Sequence, residues 1–460
     1  MIPKRILTLI GLGLLISLAI LVVCTHALAE EKKDEKKKEE VSELGERRVW
    51  LPRVSFPPSD PTGEAGYLPL FDRDISLEFG RANFYLSTKR ALELTIDESD
   101  FYLRVGGRIM VDLTKYYEDK NDLGSNGLGL RTVLVEADGR FTDKWLYRLS
   151  WGGLTSGGKF DTGGVFLNDA YLTYLGPRRA WILGQQDEPF SLEESTSSLA
   201  TTFMERALPS ALVMGKNVGI SYHAEKDWGG VSAGVFGEDL ASSKDVANQG
   251  LGFTGRITVH PVRSEKLTYH LGGSFSWRGI TGDDAVFFRT RPESGLTDVR
   301  YVNTGDLLEA DQVTRVGAEA ALAAGPLSLQ AEYIRASVSR ESGYDDLTFD
   351  GWYAFVSWFP TGESRKYFHG EGIFGYPDIT SKYGGVELAA RYSALDLNHG
   401  SVRGGKEQNV TLGFNWYISR RTRMMANYIF VFNDENATDN GRIEGDDEPQ
   451  ILQIRLQLRI

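Results

Sequence analysis

The amino-acid sequence predicts an all-β protein, a transmembrane antiparallel β-barrel of about 16 strands. From about residue 75 to the end of the chain, short segments alternate apolar and polar residues. After residue 29, no apolar run approaches the roughly 20 residues that a membrane-spanning helix needs. Tryptophan and tyrosine recur at the ends of the apolar faces, as they do in the interfacial belts of membrane barrels.

Residues 1–29 are predicted to be an export signal. A basic start precedes an apolar stretch over residues 6–23, and an A-x-A pattern at residues 27–29 fits a cleavage site. The alternatives are an uncleaved anchor helix and lipidation of Cys24, although Val23 stands where a lipoprotein signal has a small residue. Because the one cysteine lies in this segment, we expect no disulfide framework and no cysteine metal site in the processed chain.

Residues 30–74 are predicted to form a charged, flexible N-terminal tether and linker. Residues 30–40 read EEKKDEKKKEE, which supplies many charges but no apolar heptad for a coiled coil. Residues 57–66 are rich in proline and glycine, which is typical of a linker. The barrel domain is therefore predicted to span residues 75–460.

The alternation is clearest in residues 451–460, where even positions are apolar and odd positions from 453 are polar. It recurs in residues 103–113, 145–151, 251–259, 269–277, 315–322, 386–392 and 410–418. A soluble sandwich would also alternate. However, the segments have about 8–11 residues, which suits a tilted membrane strand. The apolar faces also end in aromatic residues, namely Trp145, Trp151, Tyr269, Trp277, Trp352 and Trp358.

Composition and motifs argue against several other classes of protein. The chain has 51 Lys and Arg against 63 Asp and Glu, a formal net charge of −12, whereas nucleic-acid binding requires a basic face. The histidines show no metal-ligand spacing, so neither a metal nor a cofactor is predicted. The sequence GVSAG at residues 230–234 matches G-x-S-x-G but continues an alternating strand, so it does not fit a nucleophile elbow. No enzymatic activity is predicted.

Strand parity places more basic than acidic residues on the face that would line the lumen. The basic set is Arg104, Arg108, Arg148, Arg256, Arg278, Arg315, Arg391, Arg455 and Arg459. The acidic set is Asp112, Glu136, Glu319, Glu332 and Glu387. Guanidinium groups keep their charge in a narrow pore and bind phosphate through two hydrogen bonds. Two interpretations follow: a ladder of arginines that attracts anions, or arginines that pair with lumen carboxylates and stiffen the wall.

The order of motifs from Asp97 onward resembles the phosphate-selective porin O and P family of Gram-negative outer membranes. The matching stretches are residues 101–112, 131–151, 168–184, 188–193, 195–198, 202–206, 216–219, 289–293, 330–333 and 359–363. The resemblance implies a homotrimeric barrel of about 16 strands with loops folded into the lumen. It also implies an arginine ladder and a central constriction that contains lysine.

The resemblance implies anion-binding roles for particular arginines of this chain. Arg108, Arg148 and Arg256 lie in family-like stretches, and Arg289 and Arg291 lie in the family's loop motif RTRPE. Arg104 and Arg278 join the pore-lining set by parity. Residues 192–199 read LEESTSSL, without the lysines that phosphate-specific members carry at this place. The arginines predict a preference for anions. Because the lysines are missing, phosphate or polyphosphate is only one candidate solute among several.

The predicted function is passive diffusion of small hydrophilic solutes across the outer membrane of a Gram-negative-type bacterium. The expected partners are small anions such as phosphate or chloride, outer-membrane lipid and two further copies of the chain. One alternative is an outer-membrane barrel enzyme of the lipase or protease kind, which would need a Ser/His or Asp/His constellation at one rim. Another is a secreted soluble β-protein that binds carbohydrate.

Overall fold

A computed structural model describes residues 75–79, 82–87, 91–96 and 99–459, except 125, 157–158, 161–165, 241–249, 261–266, 282–284 and 380. The predicted export signal and residues 30–74 lie outside these residues. In the described part of the chain, no helix is both long and apolar enough to cross a membrane.

Twenty-two strands account for most of the described chain. They are β1 Ile75–Phe79, β2 Ala82–Ser87, β3 Ala91–Ile96, β4 Tyr102–Tyr117, β5 Gly127–Arg140, β6 Trp145–Ser156, β7 Lys159–Phe160, β8 Phe166–Gly176, β9 Arg179–Asp187, β10 Lys216–Lys226, β11 Gly229–Phe236, β12 Gly252–Val259, β13 Leu267–Gly279, β14 Ala310–Ala324, β15 Leu327–Arg340, β16 Leu347–Trp358, β17 Lys366–Phe368, β18 Ile373–Gly375, β19 Gly385–His399, β20 Val402–Tyr417, β21 Thr422–Asn433 and β22 Gln450–Arg459. The helices among these residues are α1 Leu192–Ser195 and a 3-10 helix, Leu208–Leu212.

Sixteen of these strands form a closed antiparallel barrel, as the sequence predicts. The barrel runs from β4 to β22 without β7, β17 and β18, and β22 closes it by pairing with β4 from Gln450↔Tyr117 to Arg459↔Arg108. Closure leaves no open strand edge in lipid, where an unpaired backbone group would be costly. Strands β1 to β3 precede the barrel, and β3 pairs with the first residues of β4.

The alternation of the sequence follows the two faces of the barrel wall. On β22, the Leu456 side chain faces outward and is 41% exposed. The preceding residue, Arg455, faces the lumen, is 3% exposed and contacts Asp112. The outer face also exposes Trp145, Tyr269, Trp277, Trp352 and Trp358, while Trp151 is half-buried. In these strands, the residues predicted to face outward and inward are therefore those that do so in the structure.

Strand connections differ in length between the two ends of the barrel. At one end the turns are mostly a few residues long, as at residues 177–178, 227–228 and 325–326. Short turns lie at the periplasmic end of outer-membrane barrels and longer loops at the other end. We call these the turn end and the loop end. One connection at the turn end is an exception, because residues 359–384 separate β16 from β19.

In their described residues, three connections fold into the lumen, as expected. We name them the constriction segment (residues 188–215), the loop segment (residues 280–309) and the turn segment (residues 359–384). The first two share an apolar core with the inner face of the barrel. In that core Phe190 and Phe288 pack with Phe349 and other buried residues. The lumen is therefore partly filled by packed protein, which narrows the passage.

Candidate functional site

One carboxylate, Glu205, holds the constriction segment across the lumen. Arg131 of β5 binds both carboxylate oxygens at 2.8 Å, and Arg455 of β22 binds Oε1 at 2.6 Å. Arg455 also forms a bidentate pair with Asp112 of β4 at 2.7 Å. Burial disfavours the charged form of Glu205, but the two guanidinium groups prevail and lower the pKa of this carboxyl below its ordinary value.

Wall arginines also bind backbone carbonyls of the constriction segment. Arg423 of β21 donates to the carbonyl oxygens of Thr201 and Thr202 at 2.8 and 3.2 Å. Arg391 of β19 donates to the carbonyl oxygen of Glu205 at 3.1 Å and pairs with Glu293 of the loop segment at 2.6 Å. These side chains use their several donors to join infolded segments to the wall.

The other half of the constriction segment is held by Glu332 of β15. This carboxylate accepts hydrogen bonds from the backbone N–H groups of Leu192 and Glu193 at 2.9 and 2.7 Å, at the start of α1. It also accepts one from the Tyr353 hydroxyl. The lysine-free stretch of residues 192–199 is thus fixed at its beginning by an acidic wall residue.

Three of the predicted pore-lining arginines form one network on β4, β5 and β6. Arg104 binds Asp138 at 2.8 Å. Arg108 pairs with Glu136 and donates to the Ser198 hydroxyl of the constriction segment at 2.9 Å. Arg148 lies 3.4 Å from Glu136 and 3.3 Å from Asp169 of β8. These three arginines therefore face the lumen with their charges balanced by neighbouring carboxylates.

Two further predicted arginines, on β12 and β13, are paired in the same way. Arg256 binds Glu319 at 2.7 Å and donates to the carbonyl oxygens of Glu371 and Gly372 in the turn segment at 3.0 and 2.9 Å. Arg278 pairs with Glu188. The pairing interpretation thus describes the wall arginines of the predicted site, and a direct role for them in anion binding stays a prediction.

Arg289 and Arg291 lie together in the loop segment. Arg289 is exposed with its guanidinium 4.4 Å from the centre of the Phe287 ring, and Arg291 is half-buried and 3.3 Å from Asp298. The sequence prediction missed a third member, Arg300. Burial, together with the positive charges of Arg291 and Arg289, lowers the pKa of Arg300 from its ordinary value. Three guanidinium groups thus interact near the loop end, and we call them the arginine cluster.

An open pocket lies between the constriction segment, the turn segment and the wall. His223 and Ser232 line it, and His223 Nδ1 lies 2.9 Å from the Ser232 hydroxyl. Ser232 is the serine of GVSAG and lies within β11, as predicted, so the motif does not form the strand–turn–helix of a nucleophile elbow. Within the residues that the structure describes, no group of three or more His, Cys, Asp and Glu side chains could hold a metal ion.

A closed barrel of sixteen antiparallel strands, with a charged lumen narrowed by infolded loops, defines a porin. Residues 103–460 match the family model described as phosphate-selective porin O and P. The chain belongs to this family and is an outer-membrane porin. Family and fold describe a channel rather than an enzyme.

Two relatives and one solved structure show how far the similarity extends. The chain is 26% identical to Porin O of Pseudomonas aeruginosa over 408 residues, 79% of this chain and 91% of that relative. It is 28% identical over 350 residues to an uncharacterized protein of Caulobacter vibrioides, 72% of this chain and 68% of that one. The in-vitro folded outer membrane protein OmpT of Vibrio cholerae has a TM-score of 0.50 and 13% identity, covering 79% of this chain and 99% of that one. The last comparison concerns the fold alone.

Proposed function

We propose that this porin is a passive, anion-preferring pore for small hydrophilic solutes, and that the arginine cluster concentrates anions at its loop end. The cluster carries the proposal because the positive charges of Arg291 and Arg289 act on Arg300, and an anion bound beside them would relieve that repulsion. The wall arginines contribute less, since carboxylates balance their charge, whereas Asp298 and Asp439 offset only part of the three positive charges of the cluster. A field of one sign at a channel mouth raises the local concentration of the opposite ion.

The proposal predicts that the pore passes chloride better than potassium. Replacing two members of the cluster, Arg289→Gln with Arg291→Gln, should reduce the chloride-to-potassium permeability ratio by about two- to threefold. The measurement is the reversal potential of the purified porin in a planar bilayer under a KCl gradient. The matched control is Arg335→Gln, because Arg335 lies on the outer face and pairs with Asp350.

Phosphate provides a second readout in the same bilayers. Because residues 192–199 contain no lysine, added phosphate should compete with the chloride current only weakly. A cation-selective pore, or a double variant with unchanged selectivity, would contradict the role of the cluster. Strong block by low phosphate would instead show that phosphate has a specific site in this porin.

We further propose that the porin is a homotrimer whose subunits meet at β22, β4 and β5. In these strands the outer positions of residues 452–458, 103–113 and 128–135 carry only aliphatic residues and glycine. Neighbouring β6 and β21 carry Trp and Tyr at such positions. A lipid-facing surface is expected to keep its aromatic belts, so this gap, which excludes the exposed Tyr117 at the loop end of β4, suits contact with other copies of the chain.

A bulky substitution tests this interface. Val111→Trp should shift the porin from trimer to monomer, because an interface packs tightly whereas lipid accommodates an indole ring. Leu271→Trp is the control, since Leu271 lies on the outer face of β13 and is 57% exposed. Chemical cross-linking in detergent measures the oligomer, and a trimer that persists in Val111→Trp would place the interface elsewhere.

A further inference from the structure

Three oxygen-bearing side chains form a buried cluster on the inner wall near the loop end. Glu407 and Asn433 lie opposite each other in the β20–β21 ladder, and Asn409 follows Glu407 on the same face of β20. Glu407 and Asn409 are 0% exposed and Asn433 is 7% exposed. Directly opposite residues of a ladder have Cβ atoms about 4.5–5.5 Å apart, and diagonal neighbours such as Asn409 and Asn433 are about 7–8 Å apart.

Three side-chain oxygen atoms of the cluster accept no hydrogen bond from the described residues. Asn409 Nδ2 donates to Glu407 Oε1 at 3.0 Å, and Asn433 Nδ2 donates to the carbonyl oxygen of Asp447 at 2.8 Å. Both amides are therefore oriented by an acceptor. The atoms Glu407 Oε2, Asn409 Oδ1 and Asn433 Oδ1 accept no hydrogen bond from any residue in the described ranges. Among those residues, no lysine, arginine or histidine forms an ion pair with Glu407.

A buried carboxylate is costly unless a positive charge accompanies it, and buried amide oxygens need donors or a cation. A proton on Glu407 could serve only one of the two amide oxygens. A cation placed among the three oxygens would serve all of them at once. We propose that Glu407, Asn409 and Asn433 bind a divalent cation of the calcium class.

Calcium suits this oxygen set better than magnesium. It accepts carboxylate and amide oxygens in flexible arrangements of six to eight ligands, completed here by water and backbone oxygens. Magnesium demands a near-ideal octahedron and releases its water reluctantly. With a single carboxylate, the site belongs to the weak class that binds at roughly millimolar concentration, as extracellular calcium modules do.

A cation bound at this position would stabilise the loop end of the barrel, which is an effect separate from solute passage. Asn433 ends β21 and holds the backbone of Asp447. The Asp447 carboxylate in turn accepts hydrogen bonds from Asn121 Nδ2 at 2.8 Å and from the Tyr301 hydroxyl of the loop segment. A bound cation would therefore brace the wall beneath the loops that surround the arginine cluster.

The test uses the full-length porin, refolded without lipopolysaccharide in a neutral detergent and stripped of metal with a chelator. Calcium chloride alone is titrated, with binding followed by calorimetry and stability by the unfolding temperature. The wild type should bind calcium saturably and unfold at a higher temperature with it. Glu407→Gln should weaken the affinity about tenfold or more, since it removes the charged ligand. Asn409→Asp should strengthen the affinity by about tenfold, because it adds a second charge without removing an oxygen.

The matched control is Glu448→Gln, the same loss of charge at an exposed position in the acidic loop before β22. It should bind calcium as the wild type does. Absence of saturable binding by the wild type, or an unchanged affinity in both Glu407→Gln and Asn409→Asp, would overturn the proposal. So would loss of binding in Glu448→Gln alone, which would place calcium in the acidic loop.

Discussion

Replacing Glu205 by alanine is expected to raise the single-channel conductance and to lower the unfolding temperature of the porin. The carboxylate joins the constriction segment to Arg131 and Arg455, so its loss frees the segment from β5 and β22. Removing one partner of a buried ion pair costs about 3–5 kcal/mol, because the other charge stays buried without it. The lumen also gains one net positive charge, so the preference for chloride should increase.

A matched variant separates these effects of charge and anchoring. Glu194→Ala removes a carboxylate from the same segment, where Glu194 pairs with Arg206 of that segment at 3.0 Å. It should shift the reversal potential in the same direction as Glu205→Ala but leave the conductance close to that of the wild type. If Glu205→Ala kept both the wild-type conductance and the wild-type unfolding temperature, the other contacts of the segment with the wall would be sufficient to hold it.

The register of the wall could be predicted from sequence because lipid and the lumen impose opposite demands on successive residues. Leu456 and Arg455 illustrate this, since one is exposed on the outside and the other is buried in an ion pair. The same parity correctly placed Arg108 and Glu136 on one face, where the structure pairs them. Local alternation thus sufficed for contacts between neighbouring strands.

Parity could not predict the apolar parts of the inner wall. Val338 of β15 and Phe349 of β16 face inward and are 0% and 1% exposed. They are apolar because the infolded segments cover them, which turns part of the lumen into a protein core. At this end of β15 and β16 the inner face is apolar whereas the outer face carries Arg335 and Asp350, so alternation alone cannot indicate which face lies inward.

Parity also could not supply the partners that come from loops. Glu205 and Glu293 lie in connections whose path across the lumen has no period, yet they bind Arg131, Arg391 and Arg455. Counting charges on the strands alone therefore overstated the net positive charge of the lumen. Asp138, by contrast, shares the parity of Glu136 and was within reach of the same reasoning.

The second large effect is expected at Arg256, whose two kinds of contact can be separated. The variant Arg256→Met keeps the aliphatic stem but removes the charge, which leaves Glu319 without its arginine at a cost of about 3–5 kcal/mol. It also removes the donors to the carbonyl oxygens of Glu371 and Gly372. The turn segment should then loosen and the conductance should rise. The preference for chloride should fall, because one positive charge is lost from the lumen.

The double variant Arg256→Met with Glu319→Gln decides which contact matters for selectivity. If the arginine acts mainly through its pair, removing both charges restores the balance of the lumen and avoids a buried, unpaired carboxylate. Selectivity and unfolding temperature should then return toward the wild type. The conductance should stay high, because the turn segment still lacks its donors. Reversal potentials, conductance and unfolding temperatures of the wild type, Arg256→Met, Glu319→Gln and the double variant complete the cycle. If the double variant were as poor in chloride preference as Arg256→Met, Arg256 would contact the permeating anion directly, as in an arginine ladder.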